Sequence, residues 1–252
     1  MILLVDIGNT RVKWAALNDG ALGEFGDAVR LDREFKEVAK AAWAELEAPE
    51  RVLVTNVAGP SVKKSANLWM RRRWKTAPEF VEAGAEACGV INAYEKPKKL
   101  GPDRWVAMVA ARSLVQGPVV VVDCGTAITI DVLNMEGRHL GGLIIPGLGL
   151  MARSLIDRAP GIDEPSPDNP GHVALFGRDT DSAVTGGALY GAVALLDRAV
   201  SDVMAELGPR VTTIVTGGDA ERIGPLLARS VQYEPHLVLK GLAELVRETC
   251  VT

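Results

Sequence analysis

Cysteine is scarce in this chain: Cys88, Cys124 and Cys250 are the only three among 252 residues. They are too few and too scattered for a disulfide framework or a zinc site, and they imply a reducing compartment. Histidine is equally sparse, with His139, His172 and His236 far apart in sequence, as expected of surface or packing side chains with no catalytic or metal role. Aromatic residues make up 5% of the chain. Trp14, Trp43, Trp69, Trp74 and Trp105 form no interleaved basic and aromatic stripe, so they read as core packing rather than as a stacking platform for bases. Basic charge is not in excess either. The net charge of −4 excludes a general attraction to nucleic acid, and the one basic patch, Arg71-Arg72-Arg73-Trp74-Lys75 preceded by Lys63-Lys64, reads as a solvated helix face. Met1-Ile2-Leu3-Leu4-Val5-Asp6 carries no basic segment and meets a carboxylate at position 6, unlike a signal peptide or a membrane span. The expectation is a cytoplasmic protein with no nucleic-acid and no membrane partner.

What the chain does contain is one pattern written twice. Leu3-Leu4-Val5-Asp6-Ile7-Gly8-Asn9-Thr10 recurs as Val120-Val121-Val122-Asp123-Cys124-Gly125-Thr126. Each copy is an apolar run that reads as a buried strand, ends in a carboxylate, and continues into Gly and Thr. Skipping one residue in the second copy sets Thr10, Val12, Trp14, Ala16, Leu17 and Asn18 against Thr126, Ile128, Ile130, Val132, Leu133 and Asn134. Asp19-Gly20 and Glu136-Gly137 then close the two hairpins, where a tight turn needs positive φ. Such a turn suits nucleotide phosphates. Glycine lets backbone N–H groups approach the oxygens, the hydroxyl adds a donor, and the carboxylate holds a metal ion directly or through water. One copy alone could be a strand ending in a turn; two at equivalent positions argue for a duplicated phosphate site.

A chain of this length can carry two domains of roughly 100–150 residues, and we expect them at 1–112 and 113–252. In the first, hydrophobic periodicity predicts strands at 1–6, 11–17, 20–26, 51–56 and 78–82, with helices at 32–47, capped by Asp32, and 60–73. The second repeats the order with strands at 119–123, 127–134, 138–145 and 211–216. Its helices fall at 147–157, 180–206, from 219, and 237–249. An apolar helix from Pro102 to Val115 bridges the halves, with Pro102 suited to a helix start. The stretches 83–101 and 159–179, the latter with Pro160, Pro165, Pro167 and Pro170, are expected as long functional loops.

Five strings carry a family resemblance: Asp6-Ile7-Gly8-Asn9-Thr10, Gly101-Pro102-Asp103-Arg104, Asp123-Cys124-Gly125-Thr126-Ala127, Gly141-Gly142-Leu143-Ile144-Ile145-Pro146-Gly147 and Thr216-Gly217-Gly218-Asp219. Together, and in this order over nearly the whole chain, they resemble the type III pantothenate kinases of the acetate kinase, sugar kinase, Hsp70 and actin superfamily. The resemblance implies an α/β fold of duplicated RNase H-like, actin-like ATPase domains. Each would have a mixed five-stranded sheet flanked by helices, with the nucleotide in a cleft between them. The implied reaction is ATP-dependent phosphorylation of pantothenate to 4′-phosphopantothenate.

Residue by residue, Asp6, Ile7, Gly8, Asn9, Thr10, Arg11, Val12 and Lys13 form the first phosphate hairpin, with Asp6 near magnesium, and Thr126 serves from the second. The resemblance gives Asp123 a monovalent cation, potassium or ammonium; on chemistry alone it could equally be a second carboxylate near magnesium, since hard cations all choose oxygen. Asp103 is the expected general base, at a helix start whose dipole favours its ionised form. The competing reading makes Asp103 a helix cap beside an exposed Arg104. Gly101, Pro102, Asp103 and Arg104 line the substrate side, Arg104 offering its planar fork to an anionic group. Tyr94 and Thr180 match family positions that contact pantothenate, and Thr180 or Asp179 would cap the long helix.

Thr216-Gly217-Gly218-Asp219 is expected to pack flat against adenine or ribose. Gly141-Gly142 and Pro146-Gly147 reverse the chain around an apolar strand. Within the long helix Gly186, Gly187 and Gly191 cost roughly 0.8–1.0 kcal/mol each relative to Ala, which a close helix approach would offset. The resemblance implies a homodimer whose pantothenate pocket is shared between subunits, Thr180 reaching the partner's site. An actin-like ATP-binding scaffold or regulatory factor, and a kinase of another small hydroxy acid, are the alternatives.

Overall fold

The run Ile2-Leu3-Leu4-Val5 has no polar face to offer solvent, and in the computed structural model it is a central strand with Leu3, Leu4 and Val5 fully buried. The structure describes residues 1–31, 33–159, 161–162 and 176–251; the expected Asp32 cap, Pro160, Pro165, Pro167, Pro170 and His172 lie outside them. Two compact units emerge, one comprising 1–117, 133–141 and the chain from His236 onward, the other 118–132 and 142–235.

In chain order the first sheet's strands are β1 (Ile2–Ile7), β2 (Arg11–Asn18), β3 (Ala21–Val29), then after helix α1 (Phe35–Ala42), β4 (Arg51–Asn56), and after helix α2 (Pro60–Trp74), β5 (Glu79–Phe80). They lie in the order β3-β2-β1-β4-β5, with the β1–β2 and β2–β3 pairs antiparallel and the β1–β4 and β4–β5 pairs parallel. The core beneath them gathers Leu3, Val5, Ile7, Val12, Phe35, Val38, Val52, Val54 and Met70 around a tryptophan cluster. Trp43 lies 5.5–5.7 Å from the rings of Trp14, Trp69 and Trp74, so the tryptophans pack as expected. Their demand also shortens α1. A helix is expected to run to 47, but Trp43 leaves helical geometry at φ −121° as its indole turns into the cluster. Gly26 makes room for Trp14, whose indole a Cβ there would overlap.

The stretch 83–101 is more ordered than a loop. It holds a small hairpin, β6 (Glu86–Ala87) and β7 (Val90–Ile91), and a 3₁₀ turn at Pro97–Lys99. Asn92 ties it together, its side-chain amide donating to the Gly84 carbonyl at 2.9 Å and its Oδ1 accepting the Tyr94 N–H at 3.0 Å. Helix α3 (Pro102–Leu114) follows, with Pro102 in its first turn and Val106 to Ala111 buried.

The second sheet repeats the plan. Its strands are β8 (Val119–Cys124), β9 (Ala127–Leu133), β10 (His139–Pro146), β11 (Thr212–Thr216) and β12 (Gln232–Tyr233). They stand in the order β10-β9-β8-β11-β12, the same arrangement as the first sheet. Helix α4 (Leu148–Ile156) and helix α5 (Thr180–Leu207) precede β11, and α6 (Ala220–Ile223) with a 3₁₀ turn follows it. At 28 residues α5 is long and apolar enough to cross a bilayer by length and composition. It nonetheless buries Leu189, Ala192, Val193, Leu196 and Val200 against the second sheet's core. Asp179 is the cap of α5, accepting the Ser182 N–H at 2.8 Å, which decides between it and Thr180. The closing helix α7 (Leu237–Val251) packs in the first unit, so closely to α3 that a Cβ at Gly241 would meet the Val106 carbonyl. Glu248 of α7 also accepts the N–H and thiol of Cys88 at 2.8 and 3.2 Å, anchoring the small hairpin.

Candidate functional site

The first hairpin begins where β1 runs out. Asp6 sits between Lys13 on β2 and Thr55 on β4, and the Thr55 hydroxyl donates to Asp6 Oδ1 at 2.8 Å. Packed protein strips most of the hydration from this carboxyl and pushes its pKa up to about 6; the Asp103 charge adds to the rise, while Thr55 and Lys13 oppose it. Asp6, Lys13 and Asp103 therefore share one electrostatic neighbourhood. Gly8 closes the turn by donating to the Arg11 carbonyl at 2.9 Å, and a Cβ on Gly8 would crowd that oxygen at 3.2 Å. Ile7 and Val12 are fully buried in the core, so only their backbone faces the turn. Arg11 is exposed and paired with Asp27.

The residues expected on the acceptor side stand at the start of α3. Gly101 is the N-cap residue, and Asp103 lies in the first helical turn accepting the Arg104 N–H at 2.8 Å. A Cβ at Gly101 would stand 2.6 Å from Asp103 Oδ1; the glycine is what leaves the carboxylate room. Arg104 is only 6% exposed, which corrects the reading of a capping Asp103 beside an exposed arginine. Its Nη1 donates to the Tyr94 hydroxyl at 3.1 Å. The Tyr94 ring in turn lies parallel to His139, centroids 6.0 Å apart, and His139 is 1% exposed. Expected as an ordinary packing residue, His139 packs on Tyr94, an expected site residue, and no spacing in the sequence signals the contact.

In the second unit Asp123 is the last residue but one of β8 and pairs in register with Thr216 of β11. Gly125 donates to the Ala127 carbonyl at 3.1 Å, the counterpart of Gly8 and Arg11 with one residue fewer, as the sequence alignment of the two copies requires. Gly217, at φ +99°, lies so close that a Cβ would stand 2.5 Å from Asp123 Oδ1 and from the Cys124 carbonyl. Asp219 N–H donates to that same carbonyl at 2.9 Å. Thr216-Gly217-Gly218-Asp219 is thus folded onto the second hairpin. Gly147 has an ordinary φ of −72°; it is glycine because a Cβ would collide with the Gly125 carbonyl. Thr126 is exposed, and Thr180 stands exposed at the first turn of α5.

Among the described residues no three His, Cys, Asp or Glu side chains gather as an all-protein metal site. A cavity of about 320 Å³ lined by Lys36, Ser65, Leu68, Trp69, Arg72 and Arg73 contains none of the expected site residues.

Strand order and the repeated hairpin define the class: a duplicated α/β fold of the actin-like, sugar-kinase type. A glucokinase of the ROK family from Streptomyces griseus, solved with glucose and AMPPNP, matches 98% of this chain and 99% of its own at a TM-score of 0.54 and 13% identity. A Campylobacter jejuni protein described as a Baf family transcriptional activator matches 99% of this chain and 100% of its own at a TM-score of 0.59 and 19% identity. Both likenesses are of fold. The model of the family "Type III pantothenate kinase" matches residues 2–202, and the type III pantothenate kinase of Nitrosococcus oceani is 45% identical over 99% of this chain and 95% of its own. The chain belongs to the type III pantothenate kinase family.

Proposed function

We infer that this protein transfers the γ-phosphoryl group of ATP to the primary hydroxyl of pantothenate, releasing ADP and 4′-phosphopantothenate, the first step of coenzyme A synthesis. The observation that carries the reading is the neighbourhood of Asp6 and Asp103, one carboxylate on the phosphate hairpin and one on the acceptor side. Asp103, in the first turn of α3, accepts the proton of the pantothenate hydroxyl as its oxygen bonds the γ-phosphorus and the bond to the β,γ-bridging oxygen breaks. Arg104 and Tyr94 hold the anionic end of the acceptor. Asn9 and Thr10 of the first hairpin donate toward the phosphates, and Thr126 is the candidate donor of the second.

The residues fit a divalent cation. Asp6 is a hard oxygen donor whose ionised form is disfavoured by burial and by Asp103, and a nearby positive charge reverses that preference. Magnesium held there with the nucleotide would neutralise charge on the phosphate oxygens. Asp123, pressed against Gly217, is our candidate for a monovalent cation, potassium or ammonium.

The exposed face of α5 supports a homodimer. Ala183, Gly187, Gly191 and Ala194 are exposed at helical spacing, and beyond the adjoining backbone of α5 itself nothing among the described residues lies within 4 Å of a Cβ at Gly187 or Gly191. The close approach that would offset these glycines is therefore sought in a second copy, whose pocket Thr180 would complete. A cytoplasmic enzyme follows from the reducing compartment and the acidic chain.

A coupled ADP-release assay with ATP, pantothenate and magnesium, repeated with sodium in place of potassium, tests the reading. Release should require pantothenate and fall about 10²- to 10⁴-fold in Asp103→Asn. Pantothenate-independent release, or an unchanged Asp103→Asn enzyme, would favour an ATP-binding scaffold instead.

A further inference from the structure

The Gly8-Asn9-Thr10 turn is held from behind by a residue that none of the family strings contains. Arg30, the first residue after β3, donates Nε to the Gly8 carbonyl at 3.2 Å and a terminal nitrogen to the Asn9 carbonyl. Its own N–H and that of Leu31 donate to the Thr10 carbonyl at 2.7 and 3.2 Å. Three successive carbonyls of the turn are thus drawn to one side by one short segment.

The consequence follows from the peptide group. In a trans peptide the N–H points opposite to the C=O of the same plane, so fixing the Gly8 and Asn9 carbonyls toward Arg30 aims the Asn9 and Thr10 N–H groups the other way. Oriented donors on one face of a turn are what an anion such as phosphate requires. A guanidinium suits the task because its planar fork can engage two acceptors without rotating, which a lysine cannot do.

The second unit supplies a natural control. There Gly147, the first residue after β10, donates its N–H to the Thr126 carbonyl at 2.9 Å, as Arg30 does to Thr10. The backbone link is retained and the side chain is absent.

We propose that Arg30 is a positioning residue for ATP: by engaging the Gly8 and Asn9 carbonyls it pre-orients the first hairpin's donors toward the nucleotide phosphates. It does not touch the nucleotide. The proposal rests on the reading of this turn as a phosphate hairpin, so nucleotide binding is measured apart from turnover.

The experiment titrates a non-hydrolysable ATP analogue with magnesium into the wild-type protein, Arg30→Met, Arg30→Lys and the neighbouring control Arg33→Met, with steady-state kinetics and thermal midpoints alongside. Arg30→Met should weaken nucleotide affinity by about tenfold or more, the effect of losing charged hydrogen bonds, and raise KM for ATP to match. KM for pantothenate should stay within about twofold, as should both values in Arg33→Met. Arg30→Lys, keeping the charge and one donor, should fall between. Arg30→Met with wild-type nucleotide affinity overturns the proposal, as does an equal loss toward both substrates that tracks a lowered thermal midpoint. A wild-type protein that binds the analogue but does not phosphorylate pantothenate would sink the substrate reading and leave the Arg30 titration decisive. One that binds no analogue would overturn both.

Discussion

In the first unit a glycine donates across a three-residue turn to Arg11, and an arginine side chain gathers the turn's carbonyls; in the second, Gly125 donates across a shorter turn to Ala127, and Gly147 and Gly217 press backbone against it. The strand order behind the two turns is the same. Duplication therefore preserved where the main chain goes and let the means of holding it diverge. The first hairpin is fixed by charge and side-chain hydrogen bonds, with Asp6, Asp103 and Lys13 close by. At the second, close backbone packing at Gly147 and Gly217 adds to the hold.

The largest break in that symmetry should come from the two carboxylates. Asp6→Asn should lower kcat/KM by about 100-fold or more, because it removes the carboxylate we propose for holding magnesium at the phosphates, and Asp123→Asn should instead abolish the difference between potassium and sodium. Asp6 also predicts a pH dependence. Its folded value of about 6 exceeds the ordinary 3.8, so the folded protein binds this proton more tightly than the unfolded chain. Stability from this group is full below the lower value and is lost as pH rises through the upper one. Denaturant midpoints of the ligand-free protein should show Asp6→Asn more stable than wild type above pH 6, with that advantage shrinking toward pH 4. The value of kcat/KM for ATP, which reports the free enzyme, should move oppositely, falling as the solution is acidified through pH 6 and the metal-free Asp6 takes up its proton.

Next in size is the comparison of the glycines themselves. Gly147→Ala places a methyl group against the Gly125 carbonyl, and a backbone cannot swing aside as a side chain can. The expected loss is about 1–3 kcal/mol of stability. Gly8→Ala meets the Arg11 carbonyl at 3.2 Å, a contact relieved by a few tenths of an ångström, and should cost less than 1 kcal/mol by the same reasoning. Equal losses in urea melts would mean that the two turns are held alike after all.

Much of this was legible in the sequence because it is written in periodicity. The apolar runs at 3–5 and 120–122 gave two central strands, and the one-residue gap between copies reappears as the shorter turn at Gly125. What was not legible depends on side chains meeting distant backbone. Arg30 lies 21 and 22 residues from the carbonyls it binds, and nothing local distinguishes it from Arg33. His139 meets Tyr94 only through folding. The end of α1 is decided by where the Trp43 indole must go, a tertiary demand that overrides helix propensity. The two-residue strand β12 is too short for any alternation to show, and the helix from 219 ends at Ile223, where Gly224-Pro225 begins a 3₁₀ turn. Nor does a linear reading tell that α7, last in the chain, packs against α3 of the first unit.

The smallest expected effect is at Tyr94, and it asks whether acceptor recognition, like charge, belongs to the first unit. Tyr94→Phe keeps the ring over His139 and removes only the hydroxyl that accepts from Arg104 at 3.1 Å. Arg104 is nearly buried, so water cannot fully replace that acceptor. A net loss of about 1 kcal/mol is the scale for one such bond. If Arg104 holds the anionic end of pantothenate, the loss should appear as a roughly fivefold rise in KM for pantothenate. KM for ATP and kcat should be unmoved, because the hairpin and Asp103 are untouched. A rise in KM for ATP instead would place Arg104 on the nucleotide side and redraw the division of labour within the first unit.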